Sequence, residues 1–179
     1  MGEEEWVTHE YVITTQSLLY APFLSDLKFS KQRQLELLVE CYKSDIKDPK
    51  ELEKIKHLDR AFDRITWYED NKLQCQPIIA GHVLSQVLRE VLNDNTVTVR
   101  GYMQIPIDRL IIDMRRRNNA TEISEAVLPA TTMSAVVAIN KKVEVKDKIA
   151  VIGAKKYKGY GQVRLTVRPL NLKRGETMK

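Results

Sequence analysis

The residues most capable of chemistry in this chain form a glycine- and lysine-rich stretch near the C-terminus, Gly153-Ala154-Lys155-Lys156-Tyr157-Lys158-Gly159-Tyr160-Gly161. Glycine permits positive φ and close backbone approach, and successive backbone N–H groups can form a concavity that binds anions. The lysines add attraction for phosphate, and the two tyrosines could stack on bases or sugars. A loop of this composition is also common as a solvated hairpin. Whether this loop binds a ligand therefore has to be judged from the other motifs in the chain.

This loop does not have the features of a nucleotide-cofactor loop. It lacks the Gly-Lys-Ser/Thr ending of a Walker loop, and a strand follows its glycines where a dinucleotide fold has a helix. ATP and NAD are therefore poor candidate ligands, and we predict no cofactor.

Basic residues are concentrated in two places. The net charge is +5, with a pI of about 9.1, and Lys and Arg greatly outnumber Asp and Glu from Lys141 onward. The second cluster is Arg115, Arg116 and Arg117, beside several apolar residues. The stretch 108–119 fits a short amphipathic helix with a solvated basic end, or a basic arm of about 104–120 that lies against RNA. Such a charge distribution favours a polyanionic partner.

The hydrophobic pattern predicts both strands and helices around these residues. Period-two and β-branched segments favour strands, and Gly81 to Asn93 has the clearest helical spacing. We predict strands at 10–18, 97–103, 133–139, 149–152 and 162–167, a hairpin from 65–68 and 77–79, and helices at 30–42 and about 51–61. This mixture indicates an α+β class. We expect a single domain spanning 1–179, with a helical insertion of about 30–61 after the first strand.

Two further segments give the loop a specific context. Pro77-Ile78-Ile79-Ala80-Gly81-His82-Val83-Leu84-Ser85-Gln86-Val87-Leu88-Arg89 resembles the Pro-x-Ile-Pro-Gly-Ser-Ser-Leu-Lys-Gly-x-Leu-Arg signature of the RAMP superfamily of CRISPR-associated RNA-binding proteins. Glu125-Ala126-Val127-Leu128-Pro129-Ala130-Thr131-Thr132-Met133 resembles that superfamily's Glu-x-x-Pro-Ala-Gly-Thr-x-Phe segment, and the loop of 153–161 resembles its C-terminal glycine-rich loop. The chain departs from the signature at Ala80, His82 and Val83.

This resemblance implies a fold, partners and a function. The fold would be a ferredoxin-like, RRM-like domain, an antiparallel sheet with helices on one face. The chain would bind CRISPR guide RNA beside other RAMP-type subunits of an antiviral effector ribonucleoprotein, with target RNA or DNA as a further partner. Besides the loop and Arg115 to Arg117, it assigns RNA contacts to His82 and Arg89.

The resemblance also leaves open the possibility that the chain is an enzyme. Family backbone subunits cut target RNA with an aspartate and a divalent metal, which points to Asp63, and magnesium enters only with that role. Processing nucleases of the superfamily use a histidine, whose ordinary pKa of about 6.5 suits acid–base work; His9 is the candidate. Asp63 could equally be a turn carboxylate and His9 a surface residue. A scaffold subunit that does not touch RNA is the third alternative.

The remaining composition predicts a cytoplasmic protein. The two cysteines, Cys41 and Cys75, have no metal-ligand spacing and suggest no disulfide framework. No apolar run reaches the roughly 18 residues of a membrane span. We therefore predict no metal site and no membrane association.

Overall fold

The computed structural model describes residues 5–21, 23–24, 60–117, 120–154 and 156–170. Within these ranges the chain forms one α-helix and a series of strands. The strands are β1 (Val7–Thr15), β2 (Leu19–Tyr20), β3 (Phe23–Leu24), β4 (Arg60–Ala61), β5 (Asp63–Glu69), β6 (Lys72–Ala80), β7 (Val99–Arg100), β8 (Tyr102–Gln104), β9 (Leu110–Arg117), β10 (Ala120–Val127), β11 (Thr132–Ile139), β12 (Val145–Val151) and β13 (Gln162–Pro169). The helix, α1, spans Gly81–Leu92, and short 3-10 turns span Ile107–Arg109 and Lys156–Lys158.

The first strand is the centre of the main sheet. β1 pairs antiparallel with β11 on one side and with β13 on the other, in the strand order β12-β13-β1-β11-β7. Side chains alternate between the two faces of a strand, so Tyr11 and Ile13 are fully buried while Thr14 faces outward. One face of this sheet therefore carries most of the core.

Helix α1 covers that buried face. Its Leu84 and Leu88 are fully buried, as the four-residue spacing of its apolar side chains requires. The Tyr11 hydroxyl donates to the Leu84 carbonyl at 3.1 Å, which joins β1 to the helix. Burial raises the pKa of Tyr11 far above its ordinary value, so this hydroxyl stays protonated as a donor.

Two smaller sheets flank the main one. β10 pairs with β2, β4 and β9, and β3 pairs with β4. The third sheet consists of the β5–β6 hairpin with β8 added at its edge. β2 of the first of these sheets lies next to the 153–161 loop, because Tyr20 forms a bridge with Ala154.

The predicted ferredoxin-like α+β fold was wrong. The described part of the chain is mostly β, with one α-helix and curled antiparallel sheets, where that fold requires several helices. The helical interpretation of 108–119 was also wrong. Its β-branched Ile111 and Ile112 belong to β9, where pairing with β10 overrides a helical pattern that was only local. The region 104–120 therefore contains β9, the first strand of a hairpin that β10 completes.

Other predicted elements were confirmed. The first strand, the hairpin of β5 and β6, helix α1, and the strands β11 and β13 lie where the hydrophobic pattern placed them. Residues 30–59 of the predicted helical insertion lie outside the described residues, and Arg60 and Ala61 form a strand. Cys75 is buried and disulfide-bonded, which the sequence did not lead us to expect.

Candidate nucleic-acid interface

Backbone hydrogen bonds close both ends of the glycine- and lysine-rich stretch, which we call the lysine loop (residues 153–161). The Ile152 N–H donates to the Gly161 carbonyl at 2.8 Å, so the loop closes on itself. The Gly161 N–H donates to the Leu18 carbonyl at 2.8 Å, and Ala154 forms an isolated bridge with Tyr20. The loop is therefore fastened to β2 as well as to β12 and β13.

This fastening explains the glycine at the loop's end. Gly161 has φ +80°, and a Cβ added there would lie 1.8 Å from the Ile152 carbonyl oxygen. No side chain fits at that distance. The glycine that ends the loop is therefore required by the backbone geometry, whether or not a ligand binds.

The tip of the loop is different, because it faces solvent. Lys156 to Lys158 form a 3-10 turn, and the Gly159 N–H donates back to the Lys156 carbonyl at 3.1 Å. The side chains of Lys156 and Lys158 are exposed, and a Cβ added to Gly159 would have no neighbour within 4 Å. Lys155 lies outside the described residues. The tip thus presents cationic side chains and accessible backbone on a closed base.

The tyrosine nearest the loop's end packs inward. The ring of Tyr160 meets the ring of Tyr20 edge-on, with centroids 5.0 Å apart. Tyr20 is fully buried, and its hydroxyl donates to the carboxylate of Asp113. This arrangement uses Tyr160 to hold the loop against β2, so the structure does not favour the predicted stacking role for this ring.

The other predicted RNA contacts lie on separate elements. His82 is exposed in the first turn of α1, and Arg115 to Arg117 occupy the end of β9. Arg89 lies in the last turn of α1, where its Nε–H donates to the Val97 carbonyl at 2.7 Å. Arg89 therefore supports the turn that follows the helix.

The two candidate catalytic residues have contrasting environments. Asp63 is exposed at the start of β5. His9 is fully buried: its Nδ1–H donates to the Val7 carbonyl at 2.8 Å, and its Nε2 accepts from the Val143 N–H at 3.1 Å. Both ring nitrogens are used by the backbone, which argues against an acid–base role for His9. In the described ranges no three His, Cys, Asp or Glu side chains are grouped as metal ligands, and magnesium at Asp63 stays a prediction.

The sequence did not assign a role to Glu125, which is fully buried. Its Oε1 accepts from the Phe62 N–H at 3.0 Å, and its Oε2 accepts from the Arg64 guanidinium. Arg64 is itself largely buried, so the pair is shielded from solvent. The sequence did contain a signal for this role, because Glu125 directly precedes the apolar residues Ala126 and Val127. A charged residue in such a strand needs a buried partner.

Residues of the first of the three segments, 77–89, line one small cavity together with residues from other parts of the chain. Ile78 and Ala80 come from the first segment, Ile152 precedes the lysine loop, and Asp63 lies on the wall. Phe62, which Glu125 of the second segment holds through its backbone, lines the same cavity. Segments separated by more than 70 residues of sequence are thus assembled into one region by the fold.

No family model, curated protein or solved structure matches this chain. Within the described part of the chain, no helix is long and apolar enough to cross a membrane.

Proposed function

We propose that this chain binds single-stranded RNA through its sugar–phosphate backbone, with the lysine loop as the principal contact. The observation that carries the proposal is the exposed tip at Lys156 and Lys158 on a base that hydrogen bonds hold closed. A preformed cationic loop loses little conformational entropy on binding, which favours affinity. Within residues 152–162 there is no acidic side chain to oppose a phosphate.

The finer proposal is that the RNA is a CRISPR guide and that the chain is a subunit of an RNA-guided effector complex. It rests on the resemblance of three segments to the RAMP superfamily. The position of the first segment supports it, because Ile78 and Ala80 line the same cavity as Ile152, which directly precedes the lysine loop. The partners would be the guide RNA and other RAMP-type subunits.

The direct test is RNA binding measured over a range of salt concentrations. For single strands, the logarithm of the binding constant falls with the logarithm of salt by about 0.7 per phosphate contact. In the double variant Lys156→Ala/Lys158→Ala we expect that slope to fall by about 1.4, because two contacts are lost. Fluorescence anisotropy of a labelled oligoribonucleotide gives both affinity and slope.

The matched control is Lys142→Ala/Lys146→Ala. It removes the same charge from two exposed lysines near the opposite end of β12. Its salt slope should match that of the unaltered protein. Equal losses in both double variants would mean that net charge, and not the lysine loop, governs binding.

The guide-RNA proposal is tested separately by sequencing RNA that copurifies with the tagged protein from its native cells. We expect short RNAs that share a repeat-derived tag, together with RAMP-type subunits. Bulk RNA without repeat sequence would leave RNA binding intact and overturn the guide assignment.

A further inference from the structure

Arg60 is an arginine whose hydrogen-bond donors the described part of the protein does not use. Its Nε–H is buried and has no hydrogen-bond partner. Within the described ranges no hydrogen bond or ion pair uses its two Nη groups either, and these groups are not buried, so the end of the guanidinium reaches solvent. Arginine keeps its charge in proteins and carries five N–H donors. A charged set of donors therefore stands at the surface without a partner from the described chain.

Arg64, four residues further along the chain, shows how a structural arginine is satisfied in this protein. It forms an ion pair with the buried Glu125 and donates to the Phe62 carbonyl at 2.8 Å. Most buried donors of folded proteins have a partner of this kind, and one without a partner calls for a ligand or an ordered water. The packing of the described chain therefore explains Arg64 but does not explain Arg60.

A second unpaired polar atom lies beside Arg60. Arg60 on β4 is the register partner of Ser124 on β10, so the two side chains share one face of the sheet on strands about 5 Å apart. Ser124 is only 1% exposed, and its Oγ also has no hydrogen-bond partner. The Arg60 Nε–H and the Ser124 hydroxyl do not bond to each other. Two neighbouring donors that are both unpaired form a site for a third group, one that accepts hydrogen bonds.

This site lies next to the base of the lysine loop. Tyr20 pairs with Ala126 on one edge of β10, and β9 occupies the other edge. Arg60, opposite Ser124, therefore lies on the same edge as Tyr20, and two residues along a strand separate them by about 7 Å. Tyr20 in turn forms a bridge with Ala154 of the loop. Arg60 and the loop are thus close enough to contact neighbouring groups of one ligand.

The ligand that suits these donors is an oxyanion. An arginine and a serine hydroxyl can donate together to a group with several acceptor oxygens, and the planar guanidinium matches phosphate through two parallel N–H bonds. Asp113 limits the charge of that group, because it is the register partner of Ser124 on the far side, about 10 Å from Arg60. One nearby carboxylate favours the single charge of a phosphodiester over a doubly charged phosphate ion.

We propose that Arg60, with Ser124 beside it, binds a phosphate of the RNA backbone adjacent to the phosphates that contact the lysine loop. Among the described residues no hydrogen bond holds the guanidinium in place, so the side chain can turn and bring its Nε–H and the Ser124 hydroxyl onto the entering oxygens. This inference rests on the proposed RNA-binding function and adds to it a contact outside the loop.

The first test measures the affinity of the full chain for a labelled oligoribonucleotide over a range of salt concentrations. Arg60→Gln should weaken binding about 10-fold and lower the salt slope by about 0.7, because one phosphate contact is lost. Arg60→Lys keeps the charge but not the parallel N–H groups, so it should restore only part of the affinity. The matched control is Arg168→Gln, which removes an exposed arginine about 20 Å from Gly161 along the main sheet. Its RNA binding should equal that of the unaltered protein.

Two further measurements separate binding from folding. Arg60→Gln removes no described hydrogen bond, so the midpoint of urea unfolding should not change. Ser124→Ala removes a hydroxyl but no charge, so it should weaken RNA binding less than Arg60→Gln does and leave the salt slope unchanged.

Nuclear magnetic resonance observes the Arg60 Nε–H directly. Its signal is the one that disappears from the arginine side-chain spectrum of Arg60→Lys. Addition of the oligoribonucleotide should shift this signal, whereas inorganic phosphate at the same ionic strength should shift it less.

The possible outcomes separate the Arg60 site from the lysine loop. A shifted Nε–H signal and loss of affinity in Arg60→Gln but not in Arg168→Gln support the site. If the lysine variants lose binding while Arg60→Gln does not, the Arg60 site is wrong and the loop stands, whereas the reverse result overturns the loop. If no variant changes RNA binding, both proposals fail. A signal shifted by inorganic phosphate alone would then assign the site to a free phosphate ion, and a signal that neither anion shifts would assign it to an ordered water.

Discussion

The lysine loop and the buried polar residues His9 and Glu125 use chemically capable side chains in opposite ways. In the buried region, every polar contact described above is directed at the protein itself: His9 binds backbone groups through both ring nitrogens, and Glu125 binds Phe62 and Arg64. In the lysine loop, the backbone provides the closure and the side chains of Lys156 and Lys158 remain exposed. Residue type alone therefore does not identify a binding site, because the same chemistry serves folding when it is enclosed.

The largest loss of folding stability is expected from a substitution at Glu125. Glu125→Ala leaves the Arg64 guanidinium largely buried without its carboxylate, and breaking a buried pair in this way costs about 3–5 kcal/mol. Urea unfolding should show the loss, and Glu144→Ala, at an exposed position, should change stability by less than about 0.5 kcal/mol. A loss at Glu125 no larger than that at Glu144 would mean that the buried pair does not support the fold.

The second prediction compares the loss of folding stability at two glycines of the lysine loop. Gly161→Ala forces a Cβ against the Ile152 carbonyl, and we expect a loss of about 2–4 kcal/mol from strain and overpacking. Gly159→Ala has a similar positive φ of 85° but open space around it, so only the backbone cost of about 1 kcal/mol applies. Thermal unfolding measures both variants. Equal losses would contradict the distinction between a closed base and an open tip.

A partly exposed carboxylate, that of Asp94, gives a smaller effect and sharpens the comparison, because its oxygens are used for hydrogen bonds within the protein although solvent reaches them. Asp94 accepts from the Thr96 hydroxyl and backbone N–H and from Lys141, at 2.6, 3.0 and 2.9 Å. The bonds from Thr96, followed by that from Lys141, hold the pKa of Asp94 well below its usual value. A carboxyl whose folded-state pKa is lowered contributes stability above its unfolded-state pKa, and this contribution is lost as the pH falls below about 3.9.

Asp94→Asn therefore lowers stability at neutral pH. The difference in stability between this variant and the unaltered protein should become smaller as the pH falls below about 3.9. Thermal unfolding at pH 7 and at successive acid pH values measures this difference. A difference that stays constant with pH would show that the ionised carboxylate is not what stabilises the turn.

The smallest change in stability is expected from the two lysines that we propose as the principal RNA contacts. Lys156→Ala/Lys158→Ala should alter the free energy of unfolding by less than about 0.5 kcal/mol, because both side chains are exposed at the loop's tip. Circular dichroism during urea unfolding checks this directly. A marked loss of stability would place the two lysines among the structural residues and weaken their assignment to RNA.

The sequence by itself determined the elements whose periodicity is strong. The apolar spacing from Val83 to Leu92 specified α1, and the turn between Ile65 and Ile79 specified a hairpin, because burial and turn chemistry act locally there. The same reasoning predicted an exposed turn at the lysine loop, because its glycines and lysines favour a solvated turn before β13. Local signals were sufficient in these places.

Only the tertiary structure decided the rest. Residues 108–119 became part of a hairpin because β10 was available to pair with β9, which a local pattern does not show. His9 and Glu125 were enclosed by Val143, Phe62 and Arg64, and Arg60 came to lie beside Ser124 through the pairing of β4 with β10. Long-range pairing and burial set these roles, and neither is encoded in the spacing of neighbouring residues.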